Sequence, residues 1–240
     1  MLVERCPEDK SPYCKCLQTQ ISFGTQESAW REPSFRKVYD RRMENAAAPD
    51  VSAFILAGGR SSRMGTDKAF VDFEGRTLLA RALDLARSAT SDVRIVGSKE
   101  KFAPFAPVVE DVFQNCGPLG GIHAALEAST AELNLVLAVD LPFVPEAFLR
   151  YLIGEANSAP DVAVIVPRAQ AHWQSLCAVY RREFAAVAEN ALRAGKHKID
   201  PLFAVVPTRG IEEDELRRTG FLQEIFCNLN TPAELRAARK

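Results

Sequence analysis

The chain has 240 residues, of which 47% are hydrophobic and 25% charged, with a formal net charge of −1. This suits one large α/β domain able to bury a core. It excludes a global field that would draw nucleic acid or an anionic membrane, and no apolar stretch reaches the roughly 20 residues that span a bilayer.

Residues 1–48 carry no sustained helical or strand periodicity and mix charge with Pro, Ser and Gln. They are expected to form a poorly ordered extension, with the folded domain at 49–240. Met43 lies just before the first predicted strand and is a candidate natural start, which mass spectrometry of the host's own protein checks. Cys6, Cys14 and Cys16 crowd this extension, but no fourth Cys or nearby His completes a tetrahedral metal set. Cys116, Cys177 and Cys227 are dispersed and read as core or loop residues rather than a disulfide framework. The opening MLVERCPEDK lacks the apolar centre of a secretory signal, so the expected location is cytoplasmic.

From Val51 onward strands and helices alternate. Val51–Leu56 is a short apolar run fit for a buried strand. Thr77 caps a helix to about Arg87, with Leu78, Leu79, Ala82, Leu83 and Ala86 on one face. Strands are predicted at Val93–Val96 and Pro107–Val109, then a helix at Gly117–Ala128 with Leu119, Ile122 and Leu126 inward. Leu133–Val139 is the most apolar run. Pro145–Asn157 reads as a helix, with Pro145 and Glu146 suited to its first turn. Val162–Val166 and Ser175–Tyr180 are predicted strands, and Phe184–Ala194 a helix closed by Gly195. Leu202–Val206 and Ile225–Cys227 are predicted as short strands, with Thr231 capping a last helix.

Apolar strands separated by amphipathic helices predict an α/β, Rossmann-like fold: a mostly parallel sheet with helices on both faces. Ligands of such sheets sit outside the carboxyl ends of the strands, which directs attention to the loops there. The loop after the first strand reads LAGGRSSRMGTDKA, from Leu56 to Ala69. Gly58 and Gly59 let backbone N–H groups approach an anion closely. Arg60, Arg63 and Lys68 place three cations within nine residues, and Ser61 and Ser62 add hydroxyl donors. A mobile turn, a linker and a cradle for phosphates all fit this composition. Neither GxxxxGK[ST] nor GxGxxG is present.

The loop resembles the LAGG-x-S-x-RMG-x-DK segment of the molybdenum cofactor guanylyltransferases, within the glycosyltransferase-A-like nucleotidyltransferases. The resemblance implies that the backbone of Leu56, Ala57 and Gly58, with Gly59, meets the guanine base. It implies that Lys68 binds nucleotide phosphates and that Arg63 helps neutralise them. Related cytidylyltransferases read LAAG at this loop, and Gly59 is taken as the mark of guanine.

Downstream, LNLVLAVDLPFV ends the strongest strand with Asp140, either a turn acid before Pro142 or a Mg²⁺ ligand. Here the family carries a CDxP-like, Mg²⁺-binding segment, so the resemblance implies the second role; Val139 stands where many relatives have Cys. VVEDVFQNCGPLGGI resembles the family's D…GPL-x-GI, which implies a nucleotide contact for Asp111 and leaves Glu110 on the surface. CNLNTPAEL, with Asn228 and Asn230, resembles the family's N-[IV]-NTP-x-[DE]-L ending. Asn230 is either a metal or metal-water ligand or a turn residue feeding the Thr231 cap. VPRAQAHWQSLCAVY places Arg168, His172, Trp173 and Gln174 on the acceptor side by resemblance, and Arg193, Lys196, His197 and Lys198 read as a charged helix end.

The activity implied is transfer of GMP from GTP to molybdenum-bearing molybdopterin, with Mg²⁺ as cofactor and pyrophosphate as the second product. Partners beyond the two substrates would be transient contacts with molybdoenzymes or their chaperones, with no nucleic acid and no membrane. Three other readings compete: a molybdopterin cytidylyltransferase, a sugar-phosphate nucleotidyltransferase of the same superfamily, and a silent nucleotide-binding adaptor. The adaptor would be expected to lack Lys68 or Asp140, and both are present.

Overall fold

A computed structural model describes residues 50–58 and 67–229. The extension at 1–48, the cysteines within it, Met43, Gly59, Arg63, Asn230 and the Thr231 cap lie outside the described residues.

The first strand, β1 (Val51–Leu56), forms as the apolar run predicts. After a 3-10 turn at Lys68–Phe70, β2 (Asp72–Phe73) and β3 (Arg76–Thr77) make a small hairpin. Its two loop residues, Glu74 and Gly75, both have positive φ, as a tight hairpin turn requires. Helix α1 (Leu78–Arg87) starts at Thr77, whose hydroxyl accepts from the Ala80 amide, and buries the five predicted side chains. Next come β4 (Asp92–Val96), α2 (Lys99–Phe102), β5 (Val108–Val109), α3 (Pro118–Ala128) and β6 (Leu133–Ala138). The rest of the domain is α4 (Glu146–Ser158), β7 (Val164–Ala169), β8 (His172–Trp173), β9 (Cys177–Arg181), α5 (Phe184–Arg193), β10 (Thr208–Ile211) and α6 (Glu213–Arg218).

The main sheet runs β10-β7-β9-β6-β1-β4-β5, with β8 paired to β7. Pairings β1–β4, β1–β6, β4–β5 and β7–β10 are parallel, while β9 lies antiparallel to both β6 and β7. The sheet is therefore mostly parallel, as predicted, with one inserted reversed strand. Both faces are covered. Val51, Ala53 and Ile55 of β1 join Leu133, Leu135 and Leu137 of β6 beneath α1 and α4. On the other face, Val136, Val164, Val166 and Tyr180 pack with Leu119, Ile122 and Leu126 of α3 and Phe184 and Ala188 of α5. Burial on both faces is why these strands read as continuous apolar runs.

Two predicted strands are 3-10 turns instead. Leu202–Val206 falls largely within the 3-10 turn Asp200–Ala204. Pro201 stands in its first turn, fixing φ and lacking the N–H that a strand ladder needs, and Val205 is left exposed. Ile225–Cys227 falls in the turn Gln223–Phe226, closed by the Cys227 amide on the Glu224 carbonyl. The strand actually filling the sheet edge is β10, whose Arg209 is tied to Glu155 and Glu215, with Tyr151 Oη donating to Glu215.

Arg181, buried at the end of β9, closes α4. Its guanidinium donates to the carbonyls of Ala156 (2.9 Å), Ala159 (3.3 Å) and Val162 (3.0 Å) and pairs with Glu132. Arg181→Met should cost about 2 kcal/mol, since it strands the buried Ala156 carbonyl and the half-buried Ala159 and Val162 carbonyls, while the exposed Glu132 turns to water. Urea unfolding of the two proteins measures the difference, and an unchanged midpoint would mean water replaces the guanidinium.

Candidate active site

The carboxyl ends of the strands form one continuous shelf. At its centre the Ala57 and Gly58 amides both donate to the Val96 carbonyl (3.0 and 3.2 Å), and the Val139 amide donates to the Leu56 carbonyl (3.2 Å). These bonds fix the backbone of Leu56, Ala57 and Gly58 where β1, β4 and β6 end together. Asp140 lies two residues beyond β6 on the same edge. Its carboxylate takes a 3.1 Å bond from Lys68 Nζ, with the two side chains 18% and 26% exposed. Lys68 reaches it from the 3-10 turn, whose start is capped by Asp67 accepting from the Ala69 amide. The glycine loop thus delivers its lysine to the end of the neighbouring strand, 72 residues away in sequence.

The end of the described chain also arrives here: the Leu229 amide donates to the Asp140 carbonyl at 3.2 Å. Asn228 is adjacent to that bond, which accounts for the pull of CNLN toward the site. Gly59, Arg63 and Asn230 lie outside the described residues.

On the other flank, β5 ends before Glu110 and Asp111. Glu110 is exposed and accepts from the Lys99 amide at the start of α2, so it serves the fold locally. Asp111 is different. Its Oδ1 is buried without a hydrogen-bond partner among the described residues, and burial raises its pKa above the ordinary 3.8. An unpartnered buried carboxylate oxygen is costly, and a ligand donor is one way to satisfy it. Next to it α3 begins with Gly117 at φ 66 and Pro118, which has no N–H to satisfy, while the Gly120 amide donates back to the Gly117 carbonyl at 3.1 Å.

Beyond Asp140 the shelf continues through the start of β9 to β7. The Ala138 amide donates to the Leu176 carbonyl (2.7 Å) and the Gln174 amide to the Pro167 carbonyl (2.8 Å). Arg168 therefore stands on the same edge as Asp140, two strand spacings away, on the order of 10 Å. Arg168 lies over the Trp173 ring at 5.3 Å, and its ion pair with Glu212 is long at 3.8 Å. His172 is exposed on β8. It lowers the pKa of Asp200 together with Lys198, although burial, the largest cause, leaves that carboxyl above its ordinary value. The structure thus brings Leu56, Ala57, Gly58, Lys68, Asp111, Asp140, Arg168 and His172 to one edge of the sheet. Asp200 was missed as a neighbour of His172, because it lies far along the chain from it and no motif marks it.

Laid letter on letter, LAGG and LAAG differ at Gly58, not Gly59, so the two loops part at a described residue. Among the described residues, a Cβ at Gly58 would meet only ordinary contacts, Gly97 Cα and the Val96 carbonyl, both at 3.7 Å, so their packing does not demand glycine there.

A mostly parallel sheet that gathers a lysine, carboxylates and a glycine turn at its carboxyl edge defines an α/β nucleotidyltransferase. The same fold is seen in CMP:2-keto-3-deoxy-manno-octonic acid synthetase complexed with CTP, at 12% identity, TM-score 0.59 and 79% of this chain. More narrowly, the chain belongs to the MobA-like NTP transferase domain family, whose model matches residues 53–208. A probable molybdenum cofactor guanylyltransferase from Pelotomaculum thermopropionicum is 36% identical over 187 residues, 77% of this chain and 90% of the relative. A molybdenum cofactor guanylyltransferase from Desulfosudis oleivorans is 35% identical over 191 residues, 78% and 94% of the two chains. Molybdopterin-guanine dinucleotide biosynthesis protein A from Archaeoglobus fulgidus matches with a TM-score of 0.66 at 26% identity, covering 78% and 97%. No helix among the described residues is long and apolar enough to cross a membrane.

Proposed function

We propose that the domain at 49–240 transfers GMP from GTP to molybdenum-bearing molybdopterin, in the cytoplasm, releasing pyrophosphate. The observation that carries this reading is the Lys68–Asp140 pair at the shared end of β1 and β6. It sets a cation and an anion-held site side by side where a triphosphate lies across the strand ends. The guanine edge meets the backbone of Leu56, Ala57 and Gly58, and Asp111 accepts from the nucleoside. Lys68, with Arg63, takes the β and γ phosphates. The acceptor's terminal phosphate enters from the Arg168 and His172 side. One of its oxygens attacks the α-phosphorus, a new P–O–P bond forms, and the bond to the β-phosphate oxygen breaks as pyrophosphate leaves. Such chemistry needs alignment and charge neutralisation rather than a covalent nucleophile.

The donor set suits Mg²⁺. Among the described residues no three His, Cys, Asp or Glu side chains gather into a cage, and Mg²⁺ is usually held by one or two carboxylates with substrate phosphates and water. Asp140 would hold it, with Asn230 as the second protein ligand. Bound there, the ion supplies charge stabilisation at the phosphate oxygens.

Titration with GTP, CTP and ATP in the presence of Mg²⁺, followed by pyrophosphate release with the pterin acceptor, tests the reading. GTP alone should support turnover. Turnover with CTP would mean the cytidylyl reading, and nucleotide binding without turnover the adaptor.

Gly58→Ala probes base choice. The methyl is accommodated by the fold but fills space on the ligand side, so kcat/KM with GTP should fall about tenfold while CTP loses less, since one misplaced methylene-sized group is worth about 1–3 kcal/mol. Equal losses with both nucleotides would remove position 58 from base discrimination.

A further inference from the structure

We propose that the Arg168 guanidinium, backed by the Trp173 indole, is the surface on which the planar ring of the acceptor stacks. This rests on the acceptor being a pterin carrying its phosphate on a short arm.

Four observations converge on a built platform. First, the guanidinium lies over the indole at 5.3 Å while the arginine side chain stays 42% exposed, so it is backed by the ring and still open to solvent. An arginine held as a plane over an aromatic ring stacks a second flat ring on its free side at little entropic cost. Second, the indole is seated. A Cβ at Gly210 would fall 2.9 Å from the Trp173 ring, so glycine in β10 makes the room, and Phe203 meets the indole edge-on at 5.7 Å. Third, the hairpin presenting Trp173 is held in place. Gln170 and Ala171, neither of them glycine, have φ of 52 and 61, and the Ala171 amide is tied to Glu213 Oε1 at 3.2 Å. Left-handed backbone at both positions is what a two-residue hairpin turn between Ala169 and His172 requires, and the Glu213 contact fixes its tip. Fourth, the platform stands on the same edge of the sheet as Asp140, about 10 Å along it by strand spacing. A ring stacked there holds its phosphate arm along the shelf toward Asp140 and Lys68.

The long 3.8 Å contact to Glu212 leaves Arg168 tethered without being locked by a bidentate pair. His172 is on the same hairpin, opposite Ala169. It lies near the negative charge of Asp200, which suits the polar rim of a heterocycle rather than its face.

The chain has two tryptophans, Trp30 and Trp173, so Trp30→Phe leaves Trp173 as the sole indole reporter. A pterin absorbs where indole emits. Titrating this protein with a 6-substituted pterin monophosphate should therefore quench Trp173 saturably. Arg168→Ala should weaken the titration about tenfold, the scale of one aromatic stacking contact. Arg168→Lys should behave like Arg168→Ala, because lysine keeps the charge and loses the plane. In turnover, Trp173→Ala should raise KM for the pterin acceptor about tenfold with KM for GTP unchanged, and Trp173→Phe should recover most of the loss. No quenching, a fully functional Arg168→Lys, or equal effects of Trp173→Ala on GTP and acceptor would each overturn the platform. Quenching by the pterin without any pyrophosphate release would keep the platform and remove the guanylyltransferase reading. Guanylyl transfer that is indifferent to Trp173 and Arg168 would do the reverse.

Discussion

Asp140→Ala is expected to lower guanylyl transfer roughly a thousandfold and to leave the urea midpoint nearly unchanged. The two halves of this result have separate causes. The Lys68–Asp140 pair is partly exposed, at 26% and 18%, and ion pairs that water can reach contribute only about 0–1 kcal/mol. The backbone at position 140 is held by the Leu229 amide on its carbonyl and by the Val139 amide on Leu56, neither of which needs the carboxylate. Removing a preorganised charged group from a transition state, by contrast, costs about 3–4 kcal/mol. Lys68→Ala should lose a comparable factor. The double variant should lose little more than the worse single one, because both groups act on the same phosphates and such effects are far from additive. Single-turnover pyrophosphate release, alongside urea unfolding of each variant, separates these terms. Full activity in Asp140→Ala removes the proposed role of this carboxylate.

How much of this was legible beforehand depends on how locally each feature is encoded. β1 and β6 are buried on both faces, so apolarity marks them without knowledge of their partners, and β4 is marked by its buried Val93, Ile95 and Val96. α1 announces itself by the Thr77 cap and its apolar face. The reversed strand β9 was legible as a strand but not in direction, since its side chains are buried on both faces whichever way it runs. β10 was missed because Thr-Arg-Gly-Ile has no apolar run: it is an edge strand whose arginine answers two glutamates from other helices, and whose glycine answers a tryptophan 37 positions earlier. Leu202–Val206 misled for the opposite reason. It is apolar, but Pro201 denies it a ladder and the sheet has no slot for it. At the site, the motif letters picked out Lys68 and Asp140 individually. That they touch is a consequence of β1 and β6 being neighbours in register, Leu56 beside Ala138. Asp111's unpartnered oxygen was not legible at all, because it depends on what the surrounding loop fails to offer.

That oxygen gives the second large effect: Asp111→Asn should make the protein more stable and a poorer enzyme. Burial raises the Asp111 pKa in the folded state above its ordinary 3.8. The folded protein therefore holds the proton more tightly than the unfolded chain does. Below the ordinary carboxylate range the group is protonated in both states and costs nothing. As pH rises through the elevated folded value the penalty for burying the charge appears in full, and it persists at neutral pH. Asparagine keeps the shape and removes the charge, so the thermal midpoint at pH 7 should rise by about 2 °C, typical of relieving one unfavourable site in a domain this size. The gain should vanish near pH 3, where wild type is itself neutral at this position. If the buried Oδ1 is kept unpartnered for the nucleotide, the same substitution should lower kcat/KM for GTP roughly 10- to 100-fold, the scale of a lost charge-assisted hydrogen bond. Calorimetry across pH and steady-state kinetics at pH 7 read the two effects on one protein. A variant that is more stable and equally active would mean the carboxylate is a burden without a use. A variant that is less stable would mean the oxygen already has a partner.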